Sequence, residues 1–94
     1  MRALVWRATF KRAYKRLARR DVVLQGRVAE VLRQLAHDPF QARLRSHKLT
    51  GELQGVWSCT VGYDYRILFE IQRNPETGAE EILLLTMGTH DEVY

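Results

Sequence analysis

Two stretches of the sequence carry side chains that can move protons and hold a phosphate. One lies in the middle of the chain and one at its C-terminal end, and they contain His47, Asp64, Arg66, His90 and Tyr94. An imidazole gains and loses its proton near neutral pH, and a guanidinium fork matches the oxygens of a phosphate. Cleavage of RNA by its own 2′-hydroxyl needs such groups, because one oxygen loses a proton, another gains one, and the phosphate must be stabilised.

Each of these residues also has an ordinary structural interpretation. A single histidine in a loop is more often only solvated, and Asp64 suits a turn. Arg66 can pair across a sheet with a carboxylate such as Glu52 or Glu81. The residue types therefore define a group of candidates and not yet a site.

No metal ion and no cofactor are expected. The candidate ligands, which are Cys59, Asp64 and the two histidines, show neither CxxC nor HxxxH spacing. The sequence has no P-loop and no glycine-rich dinucleotide motif. Cys59 shares its predicted strand face with Trp57 and Val61, which indicates a core residue and not a nucleophile.

Positive charge is concentrated in the first half of the chain. Residues 1–51 carry 13 Lys/Arg and 3 Asp/Glu, whereas residues 52–94 carry 2 and 8. This asymmetry is typical of a surface that binds nucleic acid or an acidic protein, and equally of a solvated helix face. The basic residues expected to contact RNA are Lys11, Arg12, Lys15, Arg16, Arg43, Arg45 and Lys48.

Length and composition predict one globular domain that spans residues 1–94. A chain of 94 residues with 46% hydrophobic and 28% charged residues can bury one modest core. No apolar run approaches the roughly 20 residues of a membrane span, and no secretory signal is visible. The single cysteine fits a reducing compartment. A cytoplasmic protein without a membrane partner is therefore expected.

Hydrophobic periodicity predicts a strand and two helices in the first part of the chain. A strand is expected at 3–6, followed by a helix from an N-cap at Thr9 to about Arg20. Asp21 is expected to cap a second helix that ends near His37, before a proline. The tight connection predicts an antiparallel helical hairpin.

The second part of the chain predicts three strands after a basic loop at 40–52. Alternating patterns place the first two at 56–62 and 65–71, with a turn at 62–64, and a nearly continuous apolar run places the third at 81–87 and predicts a central strand. The resulting order is β-α-α-β-β-β. It predicts an α+β fold in which an antiparallel sheet carries the helical hairpin on one face.

Several motifs together resemble the RelE/ParE superfamily of bacterial toxins from type II toxin–antitoxin modules. They are HKLTG, a tryptophan, YDYRILFEI and the C-terminal GTHDEVY, and the chain is most similar to the RelE and YafQ-like branches. The resemblance implies a RelE-like fold and a metal-independent mRNA endonuclease that cuts in the ribosomal A site, in contact with ribosomal RNA. It also implies a small acidic antitoxin as partner.

The resemblance assigns roles to the candidate residues. His47 matches the loop histidine that YafQ-like toxins use in proton transfer, Asp64 their hairpin aspartate, and His90 the histidine of their Gly-Thr-His motif. Arg66 matches the RelE arginine that faces phosphate, and Tyr94 the C-terminal catalytic tyrosine.

Two further positions match these branches less closely. Lys48 lies near the active-site lysines of RelE. Thr60 stands where YafQ-like toxins have another histidine, so the site combines features of both branches.

Two other functions remain open at this point. ParE-like members of the same superfamily poison DNA gyrase and are not nucleases, and they are expected to lack the concentrated His/Asp/Arg set. A catalytically inert protein that binds RNA or protein is the other alternative.

Overall fold

Two helices separated by Asp21 follow a short strand in the computed structural model, which describes all 94 residues. Strand β1 spans Ala3–Trp6, and helices α1 and α2 span Ala8–Arg20 and Val22–His37. The Asp21 carboxylate accepts a hydrogen bond from the Leu24 amide at 3.0 Å. This bond satisfies a free amide of the first helical turn, and it confirms the predicted cap of the second helix.

The first helix begins before its predicted cap. Arg7 has an extended backbone with ψ 156°, and its carbonyl accepts a hydrogen bond from the Lys11 amide at 3.0 Å. Thr9 therefore lies inside the first turn, and the prediction that it caps the helix is wrong. The Trp6 ring packs edge-to-face on Phe10 with 4.9 Å between centroids, which joins β1 to α1 by packing.

Four more strands and a short C-terminal helix complete the fold. They are β2 (His47–Lys48), β3 (Trp57–Val61), β4 (Tyr65–Arg73), β5 (Glu80–Thr89) and α3 (His90–Val93), with 3₁₀ turns at Ala42–Leu44 and Gly51–Leu53. The order in the sheet is β1-β5-β4-β3-β2. The predicted α+β fold and the predicted turn between β3 and β4 are confirmed.

The structure differs from the prediction in three further places. The sheet is mixed and not wholly antiparallel, because β1 pairs with β5 in parallel. Parallel strands need a long connection, and here the two helices and three other strands lie between β1 and β5 in sequence. Strand β2 lies within the predicted basic loop, and α3 forms in the C-terminal segment, for which no helix is predicted.

The core lies between the helices and one face of the sheet. It comprises Phe10, Leu17, Val28, Leu32, Leu35, Leu44, Cys59, Val61, Ile67, Phe69, Ile82, Leu84 and Met87. The apolar side of α1 is buried as predicted, whereas its lysine and arginine side chains are exposed. No helix of the structure has both the length and the apolar character that crossing a bilayer requires.

One register shift interrupts the pairing of β4 with β5. Leu68 pairs with Thr86, and the next residue, Phe69, pairs with Leu84. Leu85 is therefore an extra residue on β5, which is the arrangement of a β-bulge.

The bulge decides which side chains of β5 face the helices. Side chains alternate between the two faces of a strand, and one extra residue reverses that alternation. Ile82 and Leu84 face the core before the bulge, and Met87 faces it afterwards. Thr86 and Gly88 consequently lie on the sheet face opposite α1 and α2, which we call the open face.

Helix α3 packs against Gly88. Thr89 and Glu92 form a capping box, in which the Glu92 carboxylate accepts from the Thr89 amide at 2.8 Å and the Thr89 hydroxyl accepts from the Glu92 amide at 3.4 Å. The hydrogen bonds from Thr89 hold the pKa of the Glu92 carboxyl below its ordinary value. A Cβ on Gly88 would lie 3.0 Å from the Glu92 Cβ and 3.2 Å from a Val93 methyl carbon. A larger residue at position 88 would therefore force the side chains of α3 to move by a few tenths of an ångström.

We expect Gly88→Ala to loosen α3 while the sheet stays folded. The new methyl group would press on the Glu92 and Val93 side chains, and a terminal helix of four residues moves more easily than a central strand. Hydrogen exchange should become faster at the Tyr94 amide, which donates to the His90 carbonyl, and stay slow at Ile67.

Gly26→Ala is the matched control. No atom lies within 4 Å of a Cβ at Gly26, which is inside α2. Alanine there should raise the free energy of unfolding by about 0.5–1 kcal/mol. Unchanged exchange at Tyr94 in Gly88→Ala would contradict the close packing of α3.

Candidate active site

Two rows of paired residues cross the open face. The first contains His47, Ser58, Leu68 and Thr86, and the second contains Thr60, Arg66 and Gly88. Directly paired residues have their side chains on the same face of a sheet. His47 and Arg66 are thereby placed on one face in neighbouring rows, although they come from different strands.

His47 has one ring nitrogen engaged and one free. Its Nδ1 lies 3.3 Å from the Arg45 carbonyl oxygen. A carbonyl oxygen only accepts, so Nδ1 carries the proton, and the neutral imidazole keeps an Nε2 lone pair that can take another. Arg45 has φ 50°, in the left-handed region, where it turns the chain into β2. The side chain of His47 is exposed, so a substrate can reach it.

Arg66 is half-buried on β4 and points its guanidinium along the open face. Its Nη1 donates to the Tyr65 carbonyl at 3.1 Å, which anchors one branch of the fork. Its cross-strand neighbours are Thr60 and Gly88, so the alternative of a cross-strand ion pair is wrong. The remaining guanidinium donors make no hydrogen bond to the chain and are free to bind oxygens of a phosphate.

Tyr94 reaches back over the open face to Ser58. Its hydroxyl donates a hydrogen bond to Ser58 Oγ, across 36 residues of sequence. Ser58 is the one fully buried polar side chain of the core strands, with 0% of its surface exposed, whereas Tyr94 is 44% exposed. The contact satisfies a buried hydroxyl and fixes the position of the tyrosine ring.

His90 and Asp64 meet where β5 ends. The His90 amide donates to the Asp64 carbonyl at 3.2 Å, and the His90 ring packs edge-to-face on Tyr94 with 4.6 Å between centroids. The His90 Nδ1 lies 3.5 Å from an oxygen of the fully exposed Asp91, a pair that solvent screens. Asp64 thus contacts the other candidates through its backbone, and its exposed side chain lies in the turn.

Five of the seven basic residues expected to bind RNA lie on the side of the sheet that carries the helices. Lys11, Arg12, Lys15 and Arg16 are exposed on α1, and Arg43 and Arg45 are exposed before β2. The Lys48 ammonium lies 5.5 Å from the centroid of the Trp57 ring, on the side of the sheet that carries the helices. The sheet therefore separates Lys48 and the cations of α1 from the catalytic candidates, whereas the Arg45 backbone contacts His47.

Cys59 is a core residue, as the sequence indicates. Burial raises the pKa of its thiol to about 12, so the thiolate that a nucleophile requires does not form near neutral pH. No three His, Cys, Asp or Glu side chains come together in an arrangement that would hold a metal ion.

Two features of the site are absent from the sequence-based prediction. In the sequence, Ser58 is only a polar residue of an alternating strand, and no pattern of neighbouring residues indicates its hydrogen bond with Tyr94. The capping box at Thr89 and Glu92 has a readable signal, because Thr-x-x-Glu marks a helix N-terminus. That signal would have predicted α3 and the fold-back of the tail.

Comparisons with known proteins show what the chain resembles. A family model described as "Bacterial toxin of type II toxin-antitoxin system, YafQ" matches residues 2–94. No curated protein sequence matches the chain.

Solved toxin structures share the fold. The YoeB/ParE toxin from Agrobacterium tumefaciens superposes with a TM-score of 0.78 at 18% identity, covering 94% of this chain and 98% of that one. YafQ from E. coli strain BL21(DE3) gives 0.77 at 15% identity, covering 100% and 99%. A chain of the E. coli DinJ-YafQ complex gives 0.77 at 14% identity, with the same coverage. The resemblance drawn from the sequence motifs is confirmed.

We expect Tyr94→Phe to lower the free energy of unfolding by about 1–3 kcal/mol, because it leaves the buried Ser58 hydroxyl without a partner. Tyr63→Phe is the matched control, since Tyr63 is 98% exposed and should show no change. Urea unfolding measures both variants. In the double variant Ser58→Ala/Tyr94→Phe no unpaired hydroxyl remains. Its free energy of unfolding should therefore fall by less than the sum of the decreases in the two single variants. Simple additivity would contradict the hydrogen bond.

Proposed function

We propose a ribonuclease function from one premise: the chain belongs to the YafQ family of bacterial toxins from type II toxin–antitoxin systems. Within that family we infer that it is an endoribonuclease that cuts mRNA on translating ribosomes, and hence acts in the cytoplasm. The observation that carries the proposal is the placement of His47, Arg66 and Tyr94 on the open face, with His90 packed on Tyr94.

The proton transfers are assigned to the two histidines. His47 takes the proton of the 2′-hydroxyl on its free Nε2, since Nδ1 already donates to the Arg45 carbonyl. The 2′-oxygen then attacks the neighbouring phosphorus and forms a cyclic phosphate. The bond from phosphorus to the 5′-oxygen breaks, and His90 gives that oxygen a proton.

Stabilisation of the negative charge on the phosphate is assigned to Arg66. As the 2′-oxygen attacks, the phosphate gains negative charge on its non-bridging oxygens, and a guanidinium held at one branch can meet two of them. The Tyr65 carbonyl fixes that branch, so little rotational freedom is lost when the phosphate binds.

Tyr94 is assigned to hold the substrate beside these groups. Its proton is engaged by Ser58, so the lone pairs of its oxygen remain available to a hydroxyl of the RNA. Asp64 is assigned a supporting role, because its carbonyl fixes the start of α3 and with it His90.

The basic surface of α1 is assigned to docking and not to bond cleavage. Lys11, Arg12, Lys15 and Arg16 are exposed on the far side of the sheet from His47 and Arg66. Ribosomal RNA presents a dense phosphate backbone, which such a surface attracts over a long range.

An antitoxin is the second proposed partner. A YafQ relative from E. coli is solved in a toxin-antitoxin complex with DinJ. In this chain a cleft of about 290 Å³ lies between α1, the start of α2 and α3. Its apolar floor includes Leu17, Leu24 and Met87, and Arg16 and Arg20 stand at its rim. An acidic, partly apolar segment fits this chemistry, and it would hold α3 away from a substrate or lock it in place.

His47→Ala and His90→Ala should each lower cleavage on programmed ribosomes by about 10²- to 10⁴-fold, and Arg66→Ala by a similar factor. His37→Ala is the control, because the third histidine is exposed at the end of α2, away from the open face. Arg73→Ala is the control for Arg66, on the same strand but exposed beyond the site.

The assay is primer extension on an mRNA translated in a cell-free extract. Full cleavage by His47→Ala/His90→Ala would contradict the acid–base assignment. Intact mRNA together with inhibition of DNA gyrase by the unaltered protein would contradict the ribonuclease function and support the ParE-like alternative.

Replacing Lys11, Arg12 and Lys15 by glutamine should weaken ribosome binding and flatten its salt dependence, because fewer counterions are released. Replacing Arg27, Arg33 and Arg73 removes the same number of charges elsewhere and is the control. Sedimentation with ribosomes over a salt series measures both. If the salt dependence of ribosome binding is unchanged in the first variant, the assignment of α1 to ribosome docking is wrong.

A further inference from the structure

A cluster of aromatic and basic side chains lies at the β2 edge of the sheet, on the side that carries the helices. Phe40 is 52% exposed and packs edge-to-face on Trp57, with 5.1 Å between ring centroids. The Lys48 ammonium lies 5.5 Å from the centre of the same indole. None of these three side chains takes part in the chemistry assigned to the open face. We call Phe40, Lys48 and Trp57 the aromatic platform.

A shallow hollow adjoins the platform. It lies between Trp57 and the segment 48–55. β2 is the last strand of the sheet, so no further strand covers this edge. A flat group can therefore enter beside the rings without displacing an element of the fold.

The charge around the platform is positive. The segment 38–52 contains Arg43, Arg45 and Lys48, all exposed, against two carboxylates at its ends. These are Asp38, which accepts a hydrogen bond from the Phe40 amide at 2.9 Å, and Glu52. A ligand that combines a flat π face with negative charge matches a half-exposed ring beside several cations.

We propose that the aromatic platform binds single-stranded RNA by stacking one unpaired base on the exposed Phe40 ring, which packs at 65° to the Trp57 ring, with Lys48 on the adjoining phosphate. Stacking of a base on an aromatic side chain contributes about 1–3 kcal/mol and does not depend on which base is present. The platform therefore adds affinity without setting the sequence that is cut.

The position of β2 connects the platform with the open face. Successive side chains of a strand point to opposite faces, so His47 points to the open face and Lys48 to the platform. An RNA strand that crosses the β2 edge touches both, with the cleaved linkage at His47 and a flanking nucleotide on the platform. This use of the platform rests on the proposed ribonuclease function, whereas RNA binding by the platform does not.

The test uses a short, fluorescein-labelled 2′-O-methyl RNA, which cannot be cleaved through its 2′-oxygen. Fluorescence anisotropy gives its affinity for the whole chain. Phe40→Leu removes the π face but keeps an apolar side chain, and should weaken binding about fivefold or more. Phe40→Tyr keeps the π face and should bind as the unaltered protein does. Urea unfolding of both variants excludes a loss of fold as the cause.

Salt dependence separates stacking from charge. Phe40→Leu should leave the slope of log affinity against log salt unchanged, while Lys48→Gln should reduce it by about 0.7. The chain has two tryptophans, and Trp6→Phe leaves Trp57 as the only one. The fluorescence of Trp57 in this variant should be quenched when the RNA binds.

Equal RNA affinity of Phe40→Leu and the unaltered protein overturns the proposal, and so does an absence of binding by the unaltered protein. If RNA affinity is equal but Phe40→Leu loses affinity for an acidic antitoxin, the platform belongs to a protein interface. If the Phe40 effect is found but no mRNA is cleaved on ribosomes, the platform stands and the ribonuclease function fails.

Discussion

The pairing of β4 with β5 shifts by one residue at Leu85, and the open face depends on that shift. Without the extra residue, Thr86 and Gly88 would face the helices and Met87 would face outward. Gly88 would then not lie under α3, and the tail that carries His90 and Tyr94 would have no flat surface to pack on. The bulge is thus a constraint on the site as well as on the core, in agreement with the frequent occurrence of bulges next to active sites.

The sheet separates two kinds of surface. On the open face a few polar groups are held by specific contacts, such as the bond from Tyr94 to Ser58 and the bond from Arg66 to the Tyr65 carbonyl. On the helix side, the lysine and arginine side chains of α1 are exposed and make no hydrogen bond or ion pair with the chain. The short edge strand β2 carries one residue toward each surface, because its two side chains point in opposite directions.

The regular part of the fold could be predicted from local pattern. Helical spacing and the Asp21 cap predict α1 and α2, alternation predicts β3 and β4, and a nearly continuous apolar run predicts β5, because each of these signals lies within the element itself. The bulge, the parallel pairing of β1 and the partner of Ser58 could not be predicted in this way, since they arise from contacts between distant segments. The site residues were suggested by their types and by resemblance, but their arrangement depends on α3, whose capping box at Thr89 is the one local signal that was available.

The end groups of the cleaved RNA test the central claim most directly. If the open face activates the 2′-hydroxyl, mRNA cut on programmed ribosomes must carry a cyclic phosphate at the 2′ and 3′ positions and a 5′-hydroxyl on the downstream fragment. A single 2′-deoxy substitution at the nucleotide before the cut must also abolish cleavage. A 5′-phosphate on the downstream fragment, or undiminished cleavage of the deoxy-substituted mRNA, would contradict the account.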